Sequence, residues 1–341
     1  MQSASNKNET TEKDVETLIT KADNIIENAI SNIKKEIIIM YFNIGKMISE
    51  YKNENDSKYG DRVINDFVRA LHLKYGAGFN KSNIYYAIKF YDIFSKFPTS
   101  GESIDLNFQP AGKSMYQNLT WSHIIEILNL NNLDEIYYYL KETNNKKLTR
   151  KEIRFYIKSK SYERTISNQR KGNIKNKIEE TLKDPLILNI SSKKRTEKEL
   201  EDEIIKNISN FKKEIGNVVT FYERQYKINI NGLIHKVDLV FFDYETNTFI
   251  LVDLKIHKVT NHDIMQMKLY IKYFNKEFSN RRANTIGLVL CETKDLRVLN
   301  SEDIYQIKYL NEIPKEKELL KIINENRIIL LKTDGLKLEK Q

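Results

Sequence analysis

Val237-Asp238-Leu239-Val240-Phe241-Phe242 and, further on, Phe249-Ile250-Leu251-Val252-Asp253-Leu254-Lys255 are the two stretches that decide the fold. Both are short runs rich in β-branched and aromatic residues, the composition of buried strands. Both are interrupted by charge, and a buried charge is costly unless it is paired or holds a metal. Side chains two apart on a strand share a face, so Asp253 and Lys255 lie together. If the two strands are neighbours in a hairpin, Asp238 joins them and one face carries two carboxylates and an ammonium.

The runs around this pair extend the sheet. Val218 to Phe221, Tyr226 to Ile230, Ile286 to Leu290 and Ile304 to Tyr309 have the same character. Asn231-Gly232 and Glu245-Thr246-Asn247 are turn signals, so the strands from Tyr226 to Leu254 are expected to form an antiparallel meander. Helical patterns precede it at Glu197 to Glu214 and follow it at Asn261 to Phe278, which makes the C-terminal part an α/β domain with a mixed sheet. In Leu200-Glu201-Asp202-Glu203-Ile204-Ile205, Glu201 precedes Ile204, Ile205 and Ile208 by three, four and seven positions. It therefore lies on the apolar stripe and turns toward the sheet.

Toward the N-terminus the period is helical throughout. Residues 1–14 are polar and read as a disordered tail. Apolar residues from Val15 to Tyr51 fit one long amphipathic helix or a pair. Helices from Asp61 to Leu73 and from Asn80 to Phe94 flank Tyr75-Gly76-Ala77-Gly78, a helix-turn-helix pattern that plain helical hairpins share. Residues 99–118 are irregular; helical spacing resumes at Trp121, and Thr149-Arg150-Lys151-Glu152 fits a capping box. The expected organisation is a helical DNA-binding or interaction domain over 15–165, a basic linker or solvated helix over 166–195, an α/β domain over 196–330 and a tail over 331–341.

The 341 residues carry a formal charge of +9, and 56 Lys plus Arg stand against 47 Asp plus Glu. Such an excess favours a polyanionic partner. It is concentrated: residues 141–195 hold seventeen basic and six acidic residues. Within it Lys146, Lys147, Arg150 and Lys151 are candidates for nucleic-acid contact, with a solvated helix face as the competing reading. With 11 Gly and 4 Pro the chain is neither collagen-like nor of low complexity. One Cys excludes a disulfide scaffold and a cysteine zinc site, and no apolar run is long enough for a membrane span, so a cytoplasmic protein without a membrane partner is expected.

Asp238, Asp253 and Glu201 are oxygen donors, suited to Mg²⁺ or Mn²⁺ rather than zinc. A metal so held would polarise a phosphodiester, and Lys255 would orient water or neutralise developing charge. A plain ion pair closing the end of the sheet is the competing reading. His257 and His262 lack a third ligand of their kind nearby and read as polar loop residues, Cys291 as a small core residue, and Trp121 with His123 as a core tryptophan beside a capping histidine.

These motifs also carry a resemblance. Asp238…Asp253-Leu254-Lys255, with Glu201 before and Gln266-x-x-x-Tyr270 after, resembles the PD-(D/E)xK nuclease core, and more closely the YhcG-like family of bacterial nuclease-domain proteins. Glu223-Arg224-Gln225-Tyr226 and Gly287-Leu288-Val289-Leu290-Cys291 fit it, as do Ile44-Gly45-x-x-Ile48, Phe79-x-x-Ser82-Asn83-Ile84 and Leu119-Thr120-Trp121-Ser122-His123 in the helical half. Two departures stand out: Val237 occupies the place of the motif proline, and Asp253 that of the more common glutamate.

The resemblance implies an N-terminal all-α, helix-turn-helix-like domain followed by a restriction-endonuclease-like α/β domain. It implies metal-dependent phosphodiester hydrolysis, with DNA the expected substrate. Glu201, Asp238 and Asp253 would hold the metal, Lys255 would be the catalytic lysine, and Gln266 an auxiliary catalytic residue. Arg224 and Gln225 would line the site or touch phosphate, although an arginine on an edge strand equally pairs with an acid. The competing function is a DNA-binding or assembly protein whose nuclease fold is catalytically silent. Homodimerisation is left open.

Overall fold

The computed structural model describes residues 2–54, 57–95, 118–167, 181–191, 196–216, 218–294 and 303–326. It divides into two compact units, Met1–Arg154 and Phe155–Gln341. The irregular stretch expected near 99–118 lies almost wholly outside the described residues, as does the tail at 331–341.

Unit 1 is helical. α1 (Gln2–Glu54) is a single helix that extends back through the segment expected to be a disordered tail. α2 (Ser57–Tyr75) and α3 (Lys81–Phe94) flank a short 3-10 turn at Ala77–Phe79, as the glycine-containing turn predicts. Asn80 caps α3 by accepting from the Asn83 amide at 2.9 Å. α1 and α3 approach so closely that a Cβ on Gly45 would stand 2.0 Å from the Ala87 carbonyl oxygen, which is why only glycine fits. α4 (Trp121–Ile127) and α5 (Leu133–Asn145) complete the core, in which Trp121 stacks on Tyr41 with ring centroids 4.1 Å apart. His123 caps α4, its Nδ1 accepting from the Thr120 amide at 3.2 Å.

α6 (Arg150–Lys158) crosses the boundary, and unit 2 adds α7 (Ser161–Ile166), β1 (Leu186–Ile187), α8 (Glu197–Lys206) and α9 (Ile208–Ile215). β2 (Val219–Ile230), β3 (Leu233–Asp243), β4 (Thr248–Lys258), α10 (Asn261–Glu277), β5 (Asn284–Thr293) and β6 (Ile304–Leu310) follow. The sheet order is β1-β6-β5-β4-β3-β2. β2, β3 and β4 form the expected antiparallel meander, and β4, β5, β6 and β1 are parallel. The runs at 218–221 and 226–230 are one strand here, with an irregularity between Phe221 and Glu223. α8 and α9 cover one face through Leu200, Ile204, Phe211 and Ile215. α10 covers the other through Ile264, Met267, Tyr270 and Phe274.

The expected linker at 166–195 needs correction over its described part. Residues 181–191 run through the core of unit 2, and Leu182, Lys183, Asp184 and Leu186 are fully buried. Lys183 is paired internally: its Nζ lies 3.2 Å from Glu214 Oε1, and Arg164 Nη1 donates to Glu214 Oε2 at 2.5 Å. Burial alone would raise the Glu214 carboxyl, but Arg164 and Lys183 hold it well below the usual carboxylate range. Residues 168–180 and 192–195 of that stretch lie outside the described residues.

Candidate active site

The site forms where the sheet forks. β3 and β4 are paired up to Leu239↔Val252 and then separate: β4 continues only alongside β5, and β3 only alongside β2. Asp238 and Asp253 occupy the first positions beyond the last shared rung. The fork leaves the Leu254 amide without a β3 carbonyl, and Asp238 Oδ2 accepts its hydrogen bond at 2.8 Å. Burial raises the Asp238 carboxyl above its ordinary pKa, and the Leu254 amide and Lys255 oppose that rise.

Asp253 is buried at 4% exposure. Its Oδ2 is paired with Lys255 Nζ at 2.9 Å. Burial, only partly offset by Lys255, pushes its pKa up to about 7. Burial pulls the Lys255 ammonium down, but Asp253, followed by Glu197 and Asp238, carries it above its ordinary value. Asp253 and Lys255 lie together, as their i, i+2 spacing on one strand predicts.

Glu201 is buried on α8, as its place on the apolar stripe predicts. Two residues of β2 engage it. Arg224 pairs through Nε with Glu201 Oε1 and through Nη2 with Asp202 Oδ1 at 2.5 Å. Gln225 Nε2 donates to Glu201 Oε2 at 2.7 Å and to Asp238 Oδ1 at 3.1 Å. Arg224 thus takes the acid-paired alternative. Gln225 has a φ of 52°, left-handed in the middle of a strand, which places both Arg224 and Gln225 on the α8 side.

Gln266 is hydrogen-bonded to Tyr270, whose hydroxyl in turn feels Asp253, Asp238 and Lys255. The Gln266 amide donates to Tyr270 Oη at 2.6 Å, and Tyr270 in turn donates to the Lys236 carbonyl at 3.2 Å. Tyr270 is a core residue, its hydroxyl pushed up to about 12 by burial and then by Asp253. Asp263 escaped the sequence reading. Its Oδ2 accepts from the Thr260 amide at 2.8 Å as half of a capping box, and its Oδ1 lies 3.9 Å from Lys255 Nζ. The Thr260-x-x-Asp263 spacing was the available signal. His257 is exposed, with Nε2 3.6 Å from Glu197 Oε1, and Cys291 is buried in the core.

Among the described residues, no group of three or more His, Cys, Asp or Glu side chains stands at metal-holding separations. The fit to a divalent cation rests on Asp253 Oδ2, a buried carboxylate oxygen met by the Lys255 ammonium and by no other donor among the described residues, with Asp238 on the adjoining strand. Both are hard oxygen donors. Glu201, the third expected ligand, is held by Arg224 and Gln225.

The basic cluster of unit 1 divides. Lys146 must be withdrawn as a nucleic-acid contact: its side chain is 1% exposed, and its Nζ lies 2.8 Å from Glu142 Oε2 in a buried ion pair. Lys147 and Lys151 are exposed. Arg150 is half exposed and, with Arg154, pairs with Glu126.

A six-stranded mixed sheet with acids and a lysine at its fork defines a PDDEXK nuclease-domain protein, and residues 179–317 match the YhcG PDDEXK nuclease domain. Residues 14–164 match the DUF1016 N-terminal domain. With both domains in this order, the chain belongs to the YhcG-like family. It is 24% identical over 309 residues to the Escherichia coli (strain K12) protein named "Putative nuclease YhcG", covering 81% of this chain and 82% of that one. Two solved structures are similar to part of it. A repair endonuclease from Pyrococcus abyssi is 20% identical over 36% of this chain, with a TM-score of 0.26. An EndoMS–dsDNA complex is 17% identical over 37%, with a TM-score of 0.26. The chain spans half the length of each. No helix among the described residues is long and apolar enough to cross a membrane.

Proposed function

We propose that the protein is a divalent-metal-dependent nuclease that hydrolyses DNA phosphodiester bonds. The observation that carries this reading is the fork, where Asp238, Asp253 and Lys255 converge and the buried Asp253 Oδ2 is met by the Lys255 ammonium at 2.9 Å. Asp238 and Asp253 would hold Mg²⁺ or Mn²⁺, with Glu201 available once Arg224 yields it. The ion, when bound, supplies Lewis acidity that polarises the phosphodiester and activates water. Lys255 opposes the rise in the Asp253 pKa that burial causes, and would present its remaining N–H bonds to a phosphate oxygen. The helical unit would position substrate or partner through Lys147 and Lys151.

The competing reading, a DNA-binding or assembly protein with a silent nuclease fold, has one observation on its side: Glu201 is already paired with Arg224. Wild type, Asp253→Ala and Lys255→Ala proteins are incubated with single-stranded, duplex and branched DNA and with RNA, in Mg²⁺, Mn²⁺ or EDTA. Metal-dependent cleavage of DNA by wild type, reduced about a hundredfold or more in both variants, is the expected result. Equal cleavage by all three proteins, or none by wild type, removes the catalytic reading.

A further inference from the structure

Beyond the fork, β2 and β3 remain paired down to the Asn231-Gly232 turn, forming a two-stranded arm that β4 does not accompany. Its two faces differ. Tyr226, Ile228 and Val237 turn toward the core under α10. Strand alternation therefore puts Lys227 and Asn229, with their partners Lys236 and Ile234, on the other face, the one from which Gln225 reaches Glu201 and Asp238.

Lys227 and Lys236 are directly opposite each other in the ladder, and both are exposed. Like charges at opposed positions destabilise an antiparallel pair. Neither ammonium has an acidic partner among the described residues. One rung, about 7 Å, separates them from the Gln225–Asp238 rung, about the separation of neighbouring phosphates along one strand of DNA. At the tip Leu233 is 68% exposed and Ile234 70% exposed. Two unneutralised lysines leading from an acidic site to an apolar tip match the chemistry of a groove-following element, in which cations hold phosphates and an apolar wedge meets sugars and bases.

We propose that the β2–β3 arm tracks the nucleic-acid backbone, with Lys227 and Lys236 holding phosphates next to the scissile one, Ile234 of the same face lying against the groove and Leu233 at the tip beside it. This rests on the nuclease reading and names the element that would carry the substrate to that site. The arm ammonium groups would attract each other's phosphate ligands and so convert a repulsive pair into a two-point grip.

The test measures binding rather than cleavage. Full-length wild type and a Lys227→Gln/Lys236→Gln variant are titrated with fluorescent duplex DNA in EDTA over a salt series, with single-stranded DNA and RNA as parallel arms. Two lost phosphate contacts lower the slope of log K against log salt by about 1.8 on duplex DNA and weaken binding about tenfold or more near physiological salt. The thermal midpoint stays level or rises, because a like-charge pair has been removed. Leu233→Ser/Ile234→Ser weakens binding with the slope unchanged. If the double lysine variant does not fold, Lys227→Gln alone carries the test with a slope change of about 0.9. An unchanged slope and affinity in a folded lysine variant overturns the arm. A larger effect on RNA than on duplex DNA overturns DNA as its ligand. Failure of the nuclease reading looks different: wild type binds DNA in EDTA but does not cut it in Mg²⁺ or Mn²⁺.

Discussion

Gln225 Nε2 donates to Asp238 Oδ1 at 3.1 Å from a residue whose own φ is 52°. The same nitrogen reaches Glu201 Oε2 at 2.7 Å, so one amide fixes the spacing of two acids on different elements. A left-handed φ costs a non-glycine residue about 1–2 kcal/mol, and here the two hydrogen bonds offset it.

Gln225→Gly separates these effects. Glycine adopts this φ without strain, so the thermal midpoint is expected to hold or rise. Losing the amide leaves Glu201 and Asp238 without their common donor, and Mn²⁺ affinity, measured by calorimetry, is expected to fall about tenfold or more. A variant that binds Mn²⁺ like wild type would show that the bridge does not organise the carboxylates.

Asp253 gives the fold a pH dependence of definite sign. Its pKa is pushed up to about 7 in the folded state, against about 3.9 unfolded, so folding takes up a proton between those values. Its contribution to stability is complete below about pH 4 and is lost as pH rises toward 7. In EDTA the melting temperature is expected to fall over that window, with Asp253→Asn flattening the fall. Adding Mg²⁺ or Mn²⁺ raises the midpoint more at pH 8 than at pH 5.5, because the ion binds the ionised carboxylate. Equal shifts at the two pH values would count against Asp253 as a ligand.

The meander and the burial of Glu201 were legible because their signals are local: Asn231-Gly232 at a turn, charges interrupting apolar runs, a glutamate on an apolar stripe. Features set by distant neighbours were not. The φ of Gln225 and its bridge depend on α8 and β3 together. Lys183 sits in the most basic stretch yet is buried, its Nζ 4.3 Å from the Tyr156 ring centroid and 3.0 Å from the Lys213 carbonyl oxygen. Gln266 matched a motif, but its partner Tyr270, one turn away, decides where its amide points. β1 is two residues long and shows no period.

The Arg164–Glu214–Lys183 cluster is expected to stabilise unit 2 through its two buried ion pairs. Glu214→Gln leaves two buried cations without their carboxylate, and the unfolding free energy in urea is expected to drop by about 3–5 kcal/mol. Its depressed pKa gives the opposite pH sign to Asp253: the contribution is present above the unfolded value, about 4.3, and is lost as pH falls below it toward the folded value. A Glu214→Gln protein as stable as wild type at pH 7 would mean that the two cations find other neutralisation.

Lys146, Lys147 and Lys151 are close in sequence but are expected to respond differently to neutralisation. Lys146 is sealed against Glu142, so Lys146→Gln strands a buried carboxylate and lowers the melting temperature while the salt slope of DNA binding stays put. Lys147 and Lys151 are exposed, so Lys147→Gln/Lys151→Gln keeps the melting temperature within error. If both touch phosphate, the double variant lowers the slope on duplex DNA by about 1.8. A slope equal to that of wild type would make them part of a solvated face and leave Arg150, itself shared with Glu126, as the remaining cation of that cluster to test.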